Sequence, residues 1–217
     1  MSQNNEVTLY GYFRSSCSYR TRIALNIKNI PYKQHIVSLI KGEHKTPEYQ
    51  AIQPLGMVPA LAIDGEVISQ SMAIIEYLDE TRPDVPLLPS DPKGRAKVRE
   101  IAYAVAMDIQ PVTNMRILQT LEDDKKKAEW VQKMTSHGFK GIETLLAKTA
   151  GKYCYGDSIT LADLALVPQV YNAARFNVDM TPYPIISRVN AALLEHPAFK
   201  AAHPHAQPDT PEELRNK

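Results

Sequence analysis

The sequence predicts an α/β N-terminal domain with the element order βαβ-ββα, followed by an all-helical domain. Three observations support this. Strand-like and helical apolar patterns alternate over residues 7–81, four prolines interrupt the chain at 82–92, and every apolar pattern beyond them has a helical period. We therefore expect domains at residues 1–83 and 92–217, joined by a Pro-rich linker at 84–91.

An apolar, aromatic strand over 7–13 meets the first helix at a loop that carries hydroxyls and a thiol. Helical spacing begins at Tyr19, and two serines and a cysteine occupy positions 15–17 just ahead of it. A helix N-terminus presents unpaired backbone N–H groups and the positive end of the helix dipole, so it can stabilise a thiolate. The serines can also be simple caps, and Cys17 can be an acidified thiol or an inert small hydrophobe.

A strand over 32–37 follows the first helix, because Pro31 ends the helix and alternation of apolar residues resumes after it. A strand–helix–strand series predicts a parallel pair with a right-handed crossover. After a loop with a short helix at 47–52, strands at 57–63 and 66–68 flank an Asp-Gly turn, which is a strong hairpin signal. The second half of this domain is therefore an antiparallel hairpin followed by a helix.

Two positions around this hairpin allow a functional and a structural interpretation. Pro59 opens the third strand, where it is either an ordinary edge-strand proline or the second residue of a cis peptide bond. Gln70 and Ser71 open the next helix, where the hydroxyl and nearby N–H groups could receive a carboxylate or where Ser71 could be an ordinary cap.

Helical apolar patterns alone predict the C-terminal domain. One long helix is expected over 98–112, bent at Pro111, and another through 130–145. Residues 160–163 read Thr-Leu-Ala-Asp, a capping box ahead of a further helix. A last amphipathic helix covers 185–193.

Composition and charge exclude several classes of protein. The 217 residues include 25 basic and 24 acidic side chains, so a net charge of +1 creates no overall field for nucleic acid or an anionic membrane. Without a signal-peptide pattern or a bilayer-length apolar run, we expect a cytoplasmic protein.

Cys17 and Cys154 form no C-x-x-C pair, and Cys154 is expected in the core. His203 and His205 lack a third ligand, so we expect them at the surface and predict no metal site.

These motifs in this order resemble the cytosolic glutathione transferases, whose N-terminal domain is thioredoxin-like. The details resemble the zeta class, also called maleylacetoacetate isomerases. The likeness extends over nearly the whole chain and rests on SSCSYRTRIAL, VPALAIDG, QSMAIIEYL, TLAD, RFNVDMTPYP and HPAFKAAHPHAQPDTPEEL. It implies glutathione as cofactor, a small acidic unsaturated substrate, a homodimer, and isomerisation of maleylacetoacetate to fumarylacetoacetate in tyrosine and phenylalanine breakdown.

The resemblance also implies roles for individual residues. Ser15, Ser16 and Cys17 would be the catalytic group around the glutathione sulfur, with Ser15 as the hydroxyl donor. Arg175 would bind an acidic group of the substrate, and by its charge Arg14 or Arg116 could form a further charge-assisted bond to it. The further glutathione contacts that it implies are Arg20, Val58, Pro59, Gln70, Ser71, Gln110, Asn114, Met115 and Arg116.

Other functions remain open from the sequence. The chain could isomerise maleylpyruvate, conjugate glutathione to electrophiles and haloacids, or bind glutathione without catalysis. Cys17 could also be a glutaredoxin-like redox thiol, although the C-x-x-C motif is missing. Bacterial relatives often show Gly-Glu-Gln-His after the second strand, where this chain has His44 and Lys45 in the last two places. The resemblance therefore assigns these two residues no glutathione contact.

Overall fold

The computed structural model describes residues 6–215, which form two compact units. Within that range, the first unit extends to Val85 and resumes at Pro197, and the second unit is Pro86–His196. In chain order the strands and helices are β1 (Thr8–Gly11), α1 (Ser16–Ile27), β2 (Lys33–Ile36), α2 (Pro47–Ile52), β3 (Ala60–Ile63), β4 (Glu66–Ser69), α3 (Ser71–Thr81), α4 (Pro92–Tyr103), α5 (Met115–Leu118), α6 (Asp124–Thr149), α7 (Leu161–Arg175), α8 (Pro184–Leu194), α9 (Pro197–Ala202) and α10 (Glu212–Arg215).

The first unit is built on a four-stranded sheet with the order β2-β1-β3-β4. β1 is parallel to β2, whereas β3 is antiparallel to both β1 and β4, and Leu9 pairs with Leu61 at the centre of the sheet. Both of these leucines are buried, and α1 packs against α3. The predicted βαβ-ββα order is confirmed. Among residues 6–215, no helix is both long and apolar enough to span a bilayer.

The end of the chain lies in the first unit, whereas the sequence-based division placed all of 92–217 in the helical domain. α9 packs on α1, and the fully buried Arg22 donates from Nε to the Ala202 carbonyl at 3.0 Å. A bond between residues so far apart in sequence leaves no periodic signal.

The expected surface position of the two tail histidines is also wrong, because His203 and His205 are partly buried. Burial, with His205 and Arg22 nearby, lowers the pKa of His203 to about 4.

Lys28 joins the end of α1 to the segment that follows α3. Its buried ammonium donates to Asp79 Oδ1 at 2.9 Å and to the carbonyls of Arg82 and Val85 at 2.8 and 2.9 Å. All three N–H donors of the lysine are therefore used. Through these bonds Lys28 fixes the backbone at Arg82 and Val85, at the start of the Pro-rich stretch.

Replacing Lys28 with methionine should lower the free energy of unfolding by about 3–5 kcal/mol, because the poorly hydrated Asp79 carboxylate loses the buried ammonium 2.9 Å away. Urea unfolding followed by circular dichroism measures this loss. The control is Lys97→Met, which removes a solvent-exposed pair with Glu100 and should cost less than about 1 kcal/mol. Equal losses in the two variants would contradict the prediction.

The second unit departs from the predicted continuous helix over 98–112. The α-helical geometry ends at Tyr103, and Ala104–Ile109 is π-helical. The backbone N–H of Gln110 accordingly donates to the Val105 carbonyl five residues earlier, at 3.0 Å. Pro111 does not merely bend the helix. It begins a separate 3₁₀ turn, because it has no N–H to continue the helix.

α6 packs directly on the π-helical segment. A Cβ on Gly138 would lie 2.3 Å from Cγ1 of Ile109, so only glycine allows this approach. Trp130 is partly exposed and donates from its indole nitrogen to the Val112 carbonyl at 2.8 Å. These contacts fix the turn that follows Gln110.

The predicted capping box at the start of α7 is confirmed. Asp163 accepts the N–H of Thr160 at 2.7 Å and its hydroxyl at 2.9 Å, and a third bond comes from the N–H of Cys154. Burial raises the pKa of Asp163, and the three donors oppose that rise. Cys154 is buried, as expected.

Candidate active site

The loop between β1 and α1 places the Ser15 hydroxyl at the helix N-terminus. Ser15 is the N-cap, and its Oγ accepts the N–H of Ser18 at 3.2 Å. The Ser15 N–H donates to the Tyr12 carbonyl at 3.1 Å, which holds the residue against the end of β1. A hydroxyl can accept and donate at once. Capping therefore leaves the Ser15 proton available to a ligand on the partly exposed side of the residue.

The two residues after Ser15 have different surroundings. Ser16 is the first residue of α1 and is buried, with 5% of its surface exposed. Cys17 is partly exposed, and its Sγ lies 3.9 Å from Nη1 of Arg20. Of the three sequence-predicted catalytic residues, Ser15 and Cys17 thus reach the surface, and Ser16 does not.

Arg20 is a buried cation with unused donors. Only 1% of its surface is exposed, and its Nη1 also donates to Ser71 Oγ at 3.4 Å. Its Nε and Nη2 are buried and have no hydrogen-bond partner among the described residues. Burial lowers the pKa of Arg20, and the neighbouring Cys17 opposes that shift. A buried guanidinium is costly unless its donors are paired, so this arrangement fits an anionic or strongly accepting ligand.

The N-terminus of α3 lies beside this guanidinium. Gln70 has φ 71° and ψ 112°, a left-handed conformation that is unusual for a residue other than glycine, and its side chain makes no capping bond. Ser71 is the first residue of the helix, so it is not the ordinary N-cap that the sequence allowed. Its buried hydroxyl instead accepts from Arg20. The two helix N-termini, α1 through Cys17 and α3 through Ser71, thus share one cation.

A cis peptide bond between Val58 and Pro59 lies directly before β3. The sequence left cis and edge-strand interpretations open, and the structure decides for the first. Pro59 is buried and Val58 is partly exposed.

The other predicted glutathione contacts lie in the second unit, just after the π-helical segment. Gln110 and Asn114 are partly exposed, and Met115 and Arg116 are exposed. Asn114 caps α5, because its Oδ1 accepts the N–H of Arg116 at 3.2 Å. These four side chains therefore share one short turn.

The two arginines predicted to bind substrate occupy different units. Arg175 ends α7 in the second unit, where it is exposed, donates to Asn172 Oδ1 at 3.3 Å and lies 5.4 Å from the ring centre of Phe176. Arg14 in the first unit is partly exposed, directly precedes Ser15 and lies 5.9 Å from the ring centre of Phe13.

Two family models match this chain. Residues 14–81 match the glutathione S-transferase N-terminal domain, and residues 110–202 match the C-terminal domain. The chain is 52% identical to probable maleylacetoacetate isomerase 2 of Drosophila melanogaster, over 100% of this chain and 96% of the relative. A solved holo maleyl pyruvate isomerase, a bacterial zeta-class glutathione S-transferase, is 46% identical. It superposes with a TM-score of 0.92 over 94% of this chain and all of that one. The chain belongs to the zeta-class glutathione S-transferases.

Two further relatives of this zeta-class transferase bear on its site. Maleylacetoacetate isomerase of Mus musculus is 50% identical over 98% of this chain and 99% of its own length. A maleylacetoacetate isomerase from Methylobacterium extorquens AM1, solved with bound malonate and glutathione, is 37% identical. Its TM-score is 0.90 over 94% of this chain and 99% of that one. The predicted family, fold class and glutathione cofactor are confirmed.

Two residues that support the transferase site were missed from the sequence. Buried Gln53 accepts the N–H of Met57 through Oε1 at 3.1 Å, and the hydroxyl of buried Tyr49 donates to the Met57 carbonyl at 2.6 Å. Burial and nearby Tyr10 raise the pKa of Tyr49, which keeps this donor protonated. Together they hold the backbone just before Val58. Tyr49 lies in α2 and Gln53 directly follows that helix, and no sequence pattern marks their bonds to Met57.

Proposed function

We propose that this chain is a glutathione-dependent cis–trans isomerase that converts maleylacetoacetate to fumarylacetoacetate in tyrosine and phenylalanine breakdown. The observation that carries this proposal is the cation shared by two helix N-termini. Arg20, with donors left over, lies beside Ser71 on one side and Cys17 on the other. Relatives of nearly full length that bear the isomerase name support the choice of substrate.

The residues of the first unit fit a peptide that has both a carboxylate and a thiol. The buried Arg20 and the N-terminus of α3 at Ser71 suit a carboxylate, whereas the N-terminus of α1 and the Ser15 hydroxyl suit a thiolate. Bound glutathione supplies a thiol that can add to a conjugated cis double bond, allow rotation and leave again. The residues that we propose to hold it are Ser15, Ser16, Cys17, Arg20, Val58, Pro59, Gln70 and Ser71, with Gln110, Asn114, Met115 and Arg116 added on the resemblance alone.

The chain's own residues perform three tasks in this proposal. The Ser15 hydroxyl donates a hydrogen bond to the ligand sulfur, and the first N–H groups of α1 lower the free energy of its anionic form. Arg20 and Ser71 orient the other end of the ligand. Arg175 and Arg14 pair with the acidic groups of the substrate through charge-assisted hydrogen bonds, which are stronger than bonds between neutral groups.

Arg175→Ala should raise KM for the acidic maleyl substrate about tenfold to a hundredfold, since one charge-assisted bond contributes about 1.5–3 kcal/mol. Conjugation of a neutral haloalkyl compound should be nearly unchanged. Steady-state kinetics on both substrates measure the difference. The control is Arg188→Ala, which removes an exposed guanidinium that donates to a backbone carbonyl, that of Gly151, in the same unit. A uniform loss on both substrates would instead indicate a folding role for Arg175.

One alternative has an observation of its own in its favour, because the solved zeta-class neighbour at 46% identity is a maleyl pyruvate isomerase. Glutathione-dependent assays on maleylacetoacetate and maleylpyruvate, run side by side, separate the two. A larger kcat/KM for maleylacetoacetate supports the proposal, and the reverse order assigns maleylpyruvate. Glutathione binding without turnover of either acid would indicate a non-catalytic binding module. Isomerase activity retained in Cys17→Ser would exclude an essential redox role for Cys17.

We further propose that the protein is a cytoplasmic homodimer, as the resemblance to the class implies. Light scattering on the purified protein should then give twice the chain mass of 24.3 kDa. A mass equal to that of one chain would refute the dimer without affecting the proposed chemistry.

A further inference from the structure

The backbone just before Ser15 is bonded on every side. The N–H of Tyr12 donates to Ser18 Oγ at 3.4 Å, and the Tyr12 carbonyl accepts the N–H of Ser15. Arg22 donates from Nη1 to the Tyr12 carbonyl at 3.4 Å and from Nη2 to the Phe13 carbonyl at 2.9 Å. The position of Ser15 therefore depends on how residues 12 and 13 are held.

The backbone N–H of Phe13 has its partner near the other end of the chain. The N–H of Phe13 donates to Oδ2 of Asp209 at 2.8 Å, a well-formed charge-assisted bond between residues 196 positions apart. Phe13 is buried, so its N–H has little access to water and its partner matters. Asp209 is the side chain that supplies this partner, and it is not among the residues proposed to bind glutathione.

The turn that carries Asp209 is itself held in place. Arg215 donates to the carbonyls on both sides of it, from Nη2 to Pro208 and from Nε to Thr210, each at 2.9 Å. Buried Gln207 donates to the Ala201 carbonyl at 2.9 Å and accepts from Gln34 Nε2 at 2.8 Å. These bonds fix the backbone on both sides of Asp209, so its carboxylate is held in place to accept from Phe13.

We propose that Asp209 is a positioning residue for catalysis: it holds the Phe13 backbone so that the Ser15 hydroxyl is aimed at the glutathione sulfur. This inference rests on the proposed function. A hydroxyl displaced by about 1 Å donates poorly, and misplacement of this size from a remote substitution can lower turnover about a hundredfold. The effect should appear in ionisation of the bound thiol, since that is what the Ser15 hydrogen bond favours.

The test compares Asp209→Ala with Asp209→Asn, whose Oδ1 can still accept the Phe13 N–H. Three quantities are measured: kcat, the pKa of the bound glutathione thiol from thiolate absorbance against pH, and the Kd of S-methylglutathione, which has no thiol to ionise. Asp209→Ala should lower kcat about tenfold to a hundredfold and move the thiol pKa toward the free-cysteine value of about 8.5. The Kd of S-methylglutathione should change less than about threefold, well under 1.4 kcal/mol. Asp209→Asn should restore most of both kcat and the thiol pKa.

The matched control is Asp157→Ala, which removes another carboxylate that accepts a backbone N–H, that of Lys152 at 2.7 Å in the second unit. It should leave all three quantities unchanged. A native thiol pKa and kcat in Asp209→Ala would overturn the inference, as would parallel loss of S-methylglutathione binding in a folded variant. Should the alanine variant not fold, Asp209→Glu, which moves the carboxylate by one methylene, must raise the thiol pKa or the inference fails. Failure of the native protein to turn over maleyl acids would refute the proposed function separately, because the thiol pKa is measured without substrate.

Discussion

Replacing Ser15 with alanine is expected to lower turnover of maleylacetoacetate by about a hundredfold to a thousandfold, the effect typical of removing one preorganised donor to a developing anion. Ser16→Ala should change turnover far less. The difference follows from the structure, because the Ser15 Oγ caps through its acceptor side and keeps its proton for a ligand, whereas Ser16 is buried. Steady-state kinetics at saturating glutathione measure both variants.

Two controls separate this donor from the cap that Ser15 also provides. Ser15→Thr keeps both the hydroxyl and the cap, so it should retain most activity. Asp123→Ala removes an N-cap of the same kind from α6, where Oδ1 accepts the N–H of Lys126 at 2.7 Å. It should cost about 1 kcal/mol of stability with kcat unchanged. Equal turnover of the Ser15→Ala and Ser16→Ala variants would overturn the assignment.

Arg20→Met should make the glutathione-free protein more stable while weakening its affinity for glutathione. Removing a buried cation whose donors are mostly unpaired should raise the free energy of unfolding by about 1–4 kcal/mol. The same change removes the proposed partner of the ligand, so Kd for glutathione should rise at least about tenfold, or 1.4 kcal/mol. Urea unfolding without ligand and calorimetric titration with glutathione measure the two effects.

Arg22 is a matched control on the same helix. It is equally buried, but its Nε, Nη1 and Nη2 all donate to backbone carbonyls. Arg22→Met should therefore lower the free energy of unfolding by about 3 kcal/mol or more, because three backbone carbonyls lose the buried donor that Arg22 supplies. Should Arg20→Met destabilise the free protein as much as Arg22→Met does, the idea that Arg20 is stabilised by its ligand would be wrong.

Local signals explain which parts of the fold could be predicted. The capping box joins Thr160 and Asp163, three residues apart, and the βαβ-ββα element order follows from patterns that each span one element. The return of the tail could not be predicted, since it depends on the contact between Arg22 and Ala202, 180 residues apart. The π-helical geometry before Gln110 was missed for a related reason, because packing between helices selects it and the apolar period resembles that of an α-helix.

Some features of the candidate site could likewise be predicted from local sequence, and others could not. The cap at Ser15 and the helix start near Ser71 are visible as residue types at helix boundaries, and the resemblance added the rest of the motif. The sequence could not show that Arg20 is buried with donors left over, since burial depends on how α1 and α3 pack together. It also could not show the bond from Phe13 to Asp209.

Construction of the first unit from two distant stretches sets an order for its folding. The second unit, Pro86–His196, is continuous in sequence and emerges whole from the ribosome before the segment that starts at Pro197. It can therefore fold while the first unit still lacks α9 and the Asp209 turn. Closing so long a loop is slow because the chain entropy is lost before the contacts form. The loop that carries Ser15 should thus be among the last parts of the protein to reach its final conformation.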